Sequence, residues 1–243
     1  MIKLHQSEMK QIITTSGTKI TVLAGGRSNV FMVSGKNINI LVDTGPAFMC
    51  KGLLNKLDKR SINSIEYLVL THTHFDHAAN AQKIKAKFEL KVIVQEKEAD
   101  YLLSGDSPVP AGTNPLTSWL SGTFGKWVES KVRYKSCKAD IIVNDEFDLS
   151  DTGTIARIIH TPGHSAGSLS LIVDNEIALV GDTLFGVYPG SCFPPFADHV
   201  PDLLESWEKL LGTGCSLFLP SHGRVITRKM VENGLLKKRK SIN

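Results

Sequence analysis

The chain has 243 residues, of which 42% are apolar, and a formal net charge of only +4. That length is enough for a sizeable core in one domain, 1–243; no apolar run reaches the ~18 residues of a membrane helix, and the start, Met1-Ile2-Lys3-Leu4-His5-Gln6-Ser7-Glu8, has no signal-peptide core. The charge is too dispersed for an extended nucleic-acid face, and Cys50, Cys137, Cys192 and Cys215 lack C-x-x-C spacing and read as free thiols, so the expectation is a cytoplasmic protein acting on a small molecule, without nucleic-acid or membrane partners.

Strand-like runs open the chain at 19–24, 29–33 and 38–42, the last followed by Asp43 before Thr44-Gly45. A helix is expected over 47–57, after Pro46, from the helical spacing of its apolar residues. The strand run 65–70 leads into Thr71-His72-Thr73-His74-Phe75-Asp76-His77, three histidines and an aspartate in six positions. A helix over 78–88 and a strand over 91–94 follow. Imidazole and carboxylate are ligands of borderline divalent metals such as zinc. His72 and His74 are two apart, so in an extended loop their rings point the same way, while Asp76 and His77 turn away as the chain enters the helix. One such loop can serve two adjacent metals.

The segment 104–138 exceeds what a compact core needs and reads as an insertion. It is turn-rich around Pro108, Pro110 and Pro115, then carries Trp119, Phe124 and Trp127 punctuated by Gly122 and Gly125. Two readings stand: an aromatic lid over a site, or an insertion packed on its own apolar cluster.

The second half repeats the pattern with strands at 154–159, 168–173 and 177–180 and a hairpin turn at Asp174-Asn175. His164 lies in the turn Thr161-Pro162-Gly163-His164, Asp182 in Gly181-Asp182-Thr183-Leu184-Phe185, and His222 in Ser221-His222-Gly223 after a strand at 216–219. Each candidate ligand thus follows an apolar run, where strand ends converge. The loop 185–195, with Tyr188 and Phe193, is a second candidate wall. Helices are expected over 201–211 and 227–238, the latter weakened by Gly234. His160 reads as a structural, hydrogen-bonded ring, His5 as part of a frayed terminus and His199 as a surface residue. Lys237-Lys238-Arg239-Lys240 reads as a solvated helix end that suits the helix dipole. β-rich halves with helices returning outside imply two packed sheets covered by helices.

The H-x-H-x-D-H loop, then T-P-G-H, G-D-T-L-F and S-H-G in that order, resembles the metallo-β-lactamase superfamily, in its two-metal hydrolase branch, from about residue 21 to 222. The resemblance implies an α/β fold, the αβ/βα four-layer sandwich. It implies two Zn2+ ions, with iron or manganese as alternatives: His72, His74 and His164 on the first, Asp76, His77 and His222 on the second, Asp182 bridging, and Asp76 and Asp182 as the catalytic carboxylates. Asp43 matches a family aspartate behind the ligands, though it also reads as a turn residue. The implied chemistry is hydrolysis by a metal-bridging hydroxide. A bridging carboxylate points away from antibiotic hydrolysis and toward a thioester, ester or lactone, closest in motif to the glyoxalase II-like branch. Only twenty-one residues follow His222, too few for that enzyme's glutathione-gripping part. For lactones, Tyr188 is a conceivable carbonyl-side donor. The alternatives of the same fold are a mononuclear-iron oxygenase of the persulfide dioxygenase type and a phosphodiesterase or nuclease.

Overall fold

A computed structural model describes residues 11–26, 28–59, 64–150 and 153–242; His5 lies outside them. In chain order, the first sheet is built from β1 (Gln11–Ile13), β2 (Lys19–Ala24), β3 (Val30–Ser34), β4 (Asn39–Val42), β5 (Tyr67–Val69), β6 (Lys91–Gln95) and β7 (Ile141–Val143), hydrogen-bonded in that order. The second runs β13-β12-β11-β10-β9-β8, from β8 (Glu146–Asp148), β9 (Ala156–His160), β10 (Leu169–Val173), β11 (Ile177–Gly181), β12 (Leu217–Pro220) and β13 (Ile226–Thr227). The helices are α1 (Cys50–Lys59), α2 (Phe75–Ala78), α3 (Ala81–Phe88), α4 (Ala99–Ser104), α5 (Pro115–Lys131), α6 (Val200–Gly212) and α7 (Arg228–Ile242).

The layers follow from side-chain alternation along the strands. On β4, Ile40 and Val42 face inward and join Val69, Ile93, Ile158, Leu171 and Leu179 between the two sheets, while Leu41 faces outward against Leu53 and Leu57 of α1 and Ile84 of α3. On the far side, Ile172, Ala178 and Phe218 pack against Trp207 and Leu210 of α6 and Val231 of α7. Both sheets are therefore buried on both faces, and the layers read helix, sheet, sheet, helix. This is the αβ/βα sandwich. Trp207, fully buried, also donates its indole Nε1–H to Thr183 O at 2.7 Å, which ties the outer layer to the turn carrying Asp182.

Most expected elements are present with ends moved by one or two residues. The Asp174-Asn175 turn has positive φ at both residues (52° and 53°), the geometry a two-residue hairpin demands. Gly234 does not interrupt α7: a Cβ there would meet Cys192 Sγ at 2.9 Å and Trp207 Cζ3 at 3.1 Å, so a glycine lets the helix approach. All four cysteines are free and buried.

Two expectations are corrected and one segment gains an element. The helix expected over 78–88 is two helices, α2 and α3, and Asp76 and His77 sit inside α2 rather than in a loop before it. The break falls at Asn80, whose side-chain amide donates to the carbonyls of Thr44, Gly45 and Pro46 and pins this corner to the end of β4. Within 104–138, where the sequence reading found turns up to Pro115 and assigned no element beyond, the structure adds the 17-residue α5, which tolerates Gly122 and Gly125. The strand expected over 65–70 is only Tyr67–Val69. Among the described residues, no helix is long and apolar enough to cross a membrane.

Candidate metal centre

The parallel strand pairs place the site. β4, β5 and β6 run parallel in the first sheet, and β11 and β12 in the second, so their C-terminal ends share edges. The pairing Val42↔Val69 sets Asp43 beside the loop starting at Thr71, and Gly181↔Pro220 sets Asp182 beside Ser221-His222. Leu169 N donates to Thr71 O at 2.7 Å, joining the two sheets at this edge. Two glycines are required here. Gly181 has φ +55°, and a Cβ would meet Thr71 at 2.7 Å; Gly163, with φ +126°, would put a Cβ 2.3 Å from Leu203 N.

All seven expected ligands converge. Donor atoms of His72, His74 and His164 lie within 4.8 Å of one another, as do those of His72, His77 and Asp182 and those of Asp76, His77 and His222. His164 Nε2 is 3.2 Å from His74 Nδ1, and His222 Nε2 is 3.2 Å from Asp76 Oδ2. Asp182 Oδ2 stands between the groups, 3.7 Å from both His164 Nε2 and His77 Nε2 and 3.4 Å from His222 Nε2. The structure thus groups these side chains as the resemblance implies, with His72 beside both groups.

The opposite faces of the rings are held. His77 Nδ1 donates to Asp43 Oδ2 at 2.9 Å, and His164 Nδ1 donates to Phe196 O at 2.9 Å. Thr71 Oγ1 gives its proton to Asp43 Oδ2 at 2.8 Å and so accepts from His72 Nδ1 at 3.2 Å. Each bond leaves the Nε2 lone pair turned inward, the arrangement ligating histidines adopt. Asp43 is fully buried and also accepts from Thr71 N and Ser221 Oγ. Of its two readings, the structure supports the group behind the ligands. Its φ of +58° is tolerated by an aspartate.

Burial and pairing set the protonation of these side chains among themselves. Burial, then the neighbouring His77, hold the His72 imidazole well below its usual pKa, and burial, then His164, take His74 down to about 3. Burial opposes charge on His77 and His222 too, but carboxylates outweigh it. Asp76, Asp182 and Asp43 hold His77 well above its usual value, and Asp182 with Asp76 raises His222 to about 10. Burial pushes the acids up, yet His77 and His222 bring Asp76 to about 2, and His222 and His77 hold Asp182 well below the carboxylate range.

The donor set fits divalent metal. Among the described residues, His72 Nε2, His77 Nε2 and Asp182 Oδ1 are buried polar atoms without a hydrogen-bond partner, and all three belong to this cluster. A buried polar atom left unpaired costs ~1–3 kcal/mol, and a cation bound here would satisfy all three. The ligands are nitrogen and oxygen only, as zinc, iron and manganese sites accept.

Some residues behind the site escaped the sequence reading. Glu98, buried after β6, accepts from Thr73 N at 3.0 Å, from Thr73 Oγ1 and from Ser165 Oγ at 2.6 Å, so one carboxylate braces the loops of His72–His74 and of His164. Its position past a strand end was the available signal. Tyr134 donates its hydroxyl to Thr73 O at 2.7 Å, which nothing local foretells. His160, as expected, is structural, donating to Ala166 O at 2.9 Å. His199 lies at the surface and caps α6 by accepting from Asp202 N.

A cavity of about 290 Å3 opens over the cluster. His74, Asp76, His164, Asp182 and His222 form its floor, and Phe75, Val109, Val128, Val132, Phe185 and Phe196 much of its wall. Of the two readings of 104–138, the aromatic lid does not hold: Val128 of α5 and Val132, just past its end, line the cavity, while Trp119 and Trp127 are 59% and 64% exposed and line no part of it. Tyr188 is likewise absent from this wall.

A family model described as the metallo-beta-lactamase superfamily matches residues 23–222. The chain belongs to this superfamily. A probable metallo-hydrolase of Methanocaldococcus jannaschii is 30% identical over 176 residues, 72% of this chain and 76% of that one. An acyl-coenzyme A thioesterase of Homo sapiens is 26% identical over 206 residues, 77% of this chain and 68% of that protein. Among solved structures, an archaeal metallo-beta-lactamase superfamily protein from Sulfolobus tokodaii superposes with a TM-score of 0.64 at 22% identity, covering 92% of this chain and 86% of that one. A metallo-beta-lactamase with a HARLDQ motif from Cronobacter sakazakii does so at 0.69 and 16%, covering 96% and 93%. These two likenesses speak to the fold. The chain is a metallo-hydrolase of this superfamily, with a His/Asp cluster able to hold divalent metal.

Proposed function

We propose that this protein is a two-metal hydrolase that cleaves a thioester or ester of a small molecule, with lactones as the neighbouring class. The observation that carries the reading is Asp182, whose carboxylate lies within 3.7 Å of His77, His164 and His222, between the two ligand groups. On this reading residues 1–243 form one metallo-hydrolase domain, 104–138 is an insertion that walls the site, and zinc is the preferred metal.

Two divalent ions, held by His72, His74 and His164 and by Asp76, His77 and His222 with Asp182 shared, would supply a hydroxide nucleophile near neutral pH and polarise the scissile carbonyl. The protein's own groups do the rest. Asp43, Thr71 and the Phe196 carbonyl keep His77, His72 and His164 in the tautomers that face inward. Asp76 lines the cavity and is the more exposed of the two carboxylates, so its Oδ2 is placed to take the proton that water loses in giving the hydroxide. The apolar wall excludes bulk water and orients the acyl part. In sum, water and thioester give acid and thiol: a C–O bond forms, the C–S bond breaks, and the thiolate collects a proton. A thiolate leaves readily, and no lysine, arginine or tyrosine among the cavity-lining residues offers a strong general acid.

The relationship to an acyl-coenzyme A thioesterase supports the thioester as the first bond to test. The lack of lysine and arginine in the lining does not favour a phosphodiester. The test is a panel of acyl thioester, aryl ester, lactone and phosphodiester substrates, assayed with zinc-loaded protein under air and under nitrogen. The expected result is oxygen-independent hydrolysis of the acyl thioester above the other classes. Preference for the phosphodiester, or oxygen consumption, would overturn it.

A further inference from the structure

The polarity of α5 is inverted for a surface helix. Its inward row is Thr117, Ser121, Gly125 and Val128, of which Gly125 is buried and the others half-buried. Its outward row, three and four residues apart and so on one face, is Leu116, Trp119, Leu120 and Phe124. These four have 65%, 59%, 38% and 46% of their surfaces exposed. Trp119 and Phe124 meet edge to face, 5.9 Å between ring centroids, and both rings stay in water.

No charge interrupts this face. Residues 107–125 hold no charged side chain, in a chain that is 21% charged. The helix is also held at both ends. Before it, Thr113 N donates to Pro195 O at 3.0 Å and Ala197 N donates to Ala111 O at 2.8 Å. After it, Tyr134 N donates to Gly105 O at 3.0 Å and the Tyr134 hydroxyl donates to Thr73 O at 2.7 Å. An anchored, charge-free patch with exposed aromatic rings has the composition of an interface core. The area fits as well. At ~200 Å2 per large side chain, the exposed parts of the four outward residues come to about 400 Å2. A standard interface covers ~800 Å2 on each partner and is a little over half apolar. The row therefore supplies roughly the apolar surface that one side of a stable dimer needs.

We propose that the outward face of α5 is the contact surface of a homodimer, in which the α5 helices of two copies cross antiparallel about a two-fold axis near Leu120. A two-fold contact must be self-complementary. An axis across the helix at Leu120 sets Leu116 of one copy against Phe124 of the other. It sets Lys126 and Lys131 against 109–114 of the other copy, which hold no charge, and it opposes the two helix dipoles. A parallel pairing would set Lys126 against Lys126. Gly122, on the flank, has open space where a Cβ would stand, so the two backbones can approach closely. A lipid surface fits less well. A helix lying in a membrane interface has a charged face opposite its apolar one, whereas the opposite face of α5 is the neutral inward row. Dimer formation here is independent of which bond the protein cleaves, because Val128 and Val132 meet the cavity from the inward side.

Sedimentation equilibrium on the metal-loaded full chain reads the mass from ~1 to ~100 µM. The expected mass is twice the 26.6 kDa of one chain, with a dissociation constant in the micromolar range or tighter. Trp119→Glu and Leu120→Glu, at side chains already exposed in one chain, should each weaken the dimer at least ~tenfold. Phe48→Glu, at an exposed apolar residue before α1, should leave it unchanged. Circular dichroism reports whether the variants fold. A second readout needs no variant: amide hydrogen exchange over 116–124 should slow as the protein concentration rises. A wild-type chain that stays monomeric at ~100 µM, a dimer that both α5 variants keep, or exchange over 116–124 that does not change with concentration would overturn the proposal. So would a monomer that sediments with vesicles of phosphatidylcholine and phosphatidylglycerol and loses that binding in Trp119→Glu, which would give the face to a lipid surface.

Discussion

Asp43 Oδ2 accepts the Nδ1 proton of His77 at 2.9 Å, with both residues fully buried, so one carboxylate sets the tautomer of a candidate ligand 34 residues away. The same carboxylate takes protons from Thr71 and Ser221, and through Thr71 Oγ1 it reaches His72. The Thr71 loop, the helix α2 and the Ser221 loop are therefore fastened to one side chain.

Asp43→Asn tests that fastening. Asparagine tolerates the positive φ, so the change removes charge without straining the backbone. It also places an amide donor against Thr71 and Ser221, which already donate. Metal affinity is expected to fall about 10–100-fold, measured by competition with a chromophoric chelator. An unchanged affinity would show that Asp43 is only a turn residue.

Asp182→Ala removes the one carboxylate that stands between both ligand groups. Turnover should fall by roughly three orders of magnitude or more, because nucleophile formation and carbonyl activation depend on the same pair of ions. Near-normal turnover with full metal content would remove Asp182 from the shared position.

The candidate ligands were legible because each follows an apolar run and because a histidine-dense loop serves no packing purpose. His72, His164 and His222 announce themselves in the T-H-T-H, T-P-G-H and S-H-G turns. The supports were harder to see. Glu98 and Tyr134 act on Thr73 across 25 and 61 residues of chain, which no local pattern reports. Asn80 splits an apparently continuous helix because its amide has three carbonyls to satisfy. The helix α5 was masked by Gly122 and Gly125, and its aromatic residues drew attention to the face that does not line the site.

The two valines that do line it provide a third prediction. Val128→Trp or Val132→Trp fills the cavity and should raise KM for longer acyl groups by about tenfold, with shorter ones affected less. Trp119→Ala and Trp127→Ala, which are not among the residues that line the cavity, should leave the chain-length profile as it is. A profile altered by the tryptophan variants and not by the valine variants would reverse the assignment of faces.

Protons do in the metal-free cluster what cations would do. His222, raised to about 10, and His77, held well above its usual value, are both protonated at pH 7.5. A metal ligand must be the neutral imidazole, so binding displaces these protons. Metal titrations in buffers of different ionisation enthalpy should report release of one to two protons at pH 7.5, and affinity should rise with pH from about 6.5 toward 10 as fewer protons need displacing. Binding without proton release would mean that His77 and His222 are already neutral.

The central claim, two metals on one carboxylate-linked site in a hydrolase, is tested most directly by elemental analysis of the purified chain together with its oxygen dependence. The account predicts two equivalents of metal per chain, zinc by preference, and hydrolysis that proceeds equally under nitrogen. One iron per chain with activity that stops when oxygen is removed would contradict it.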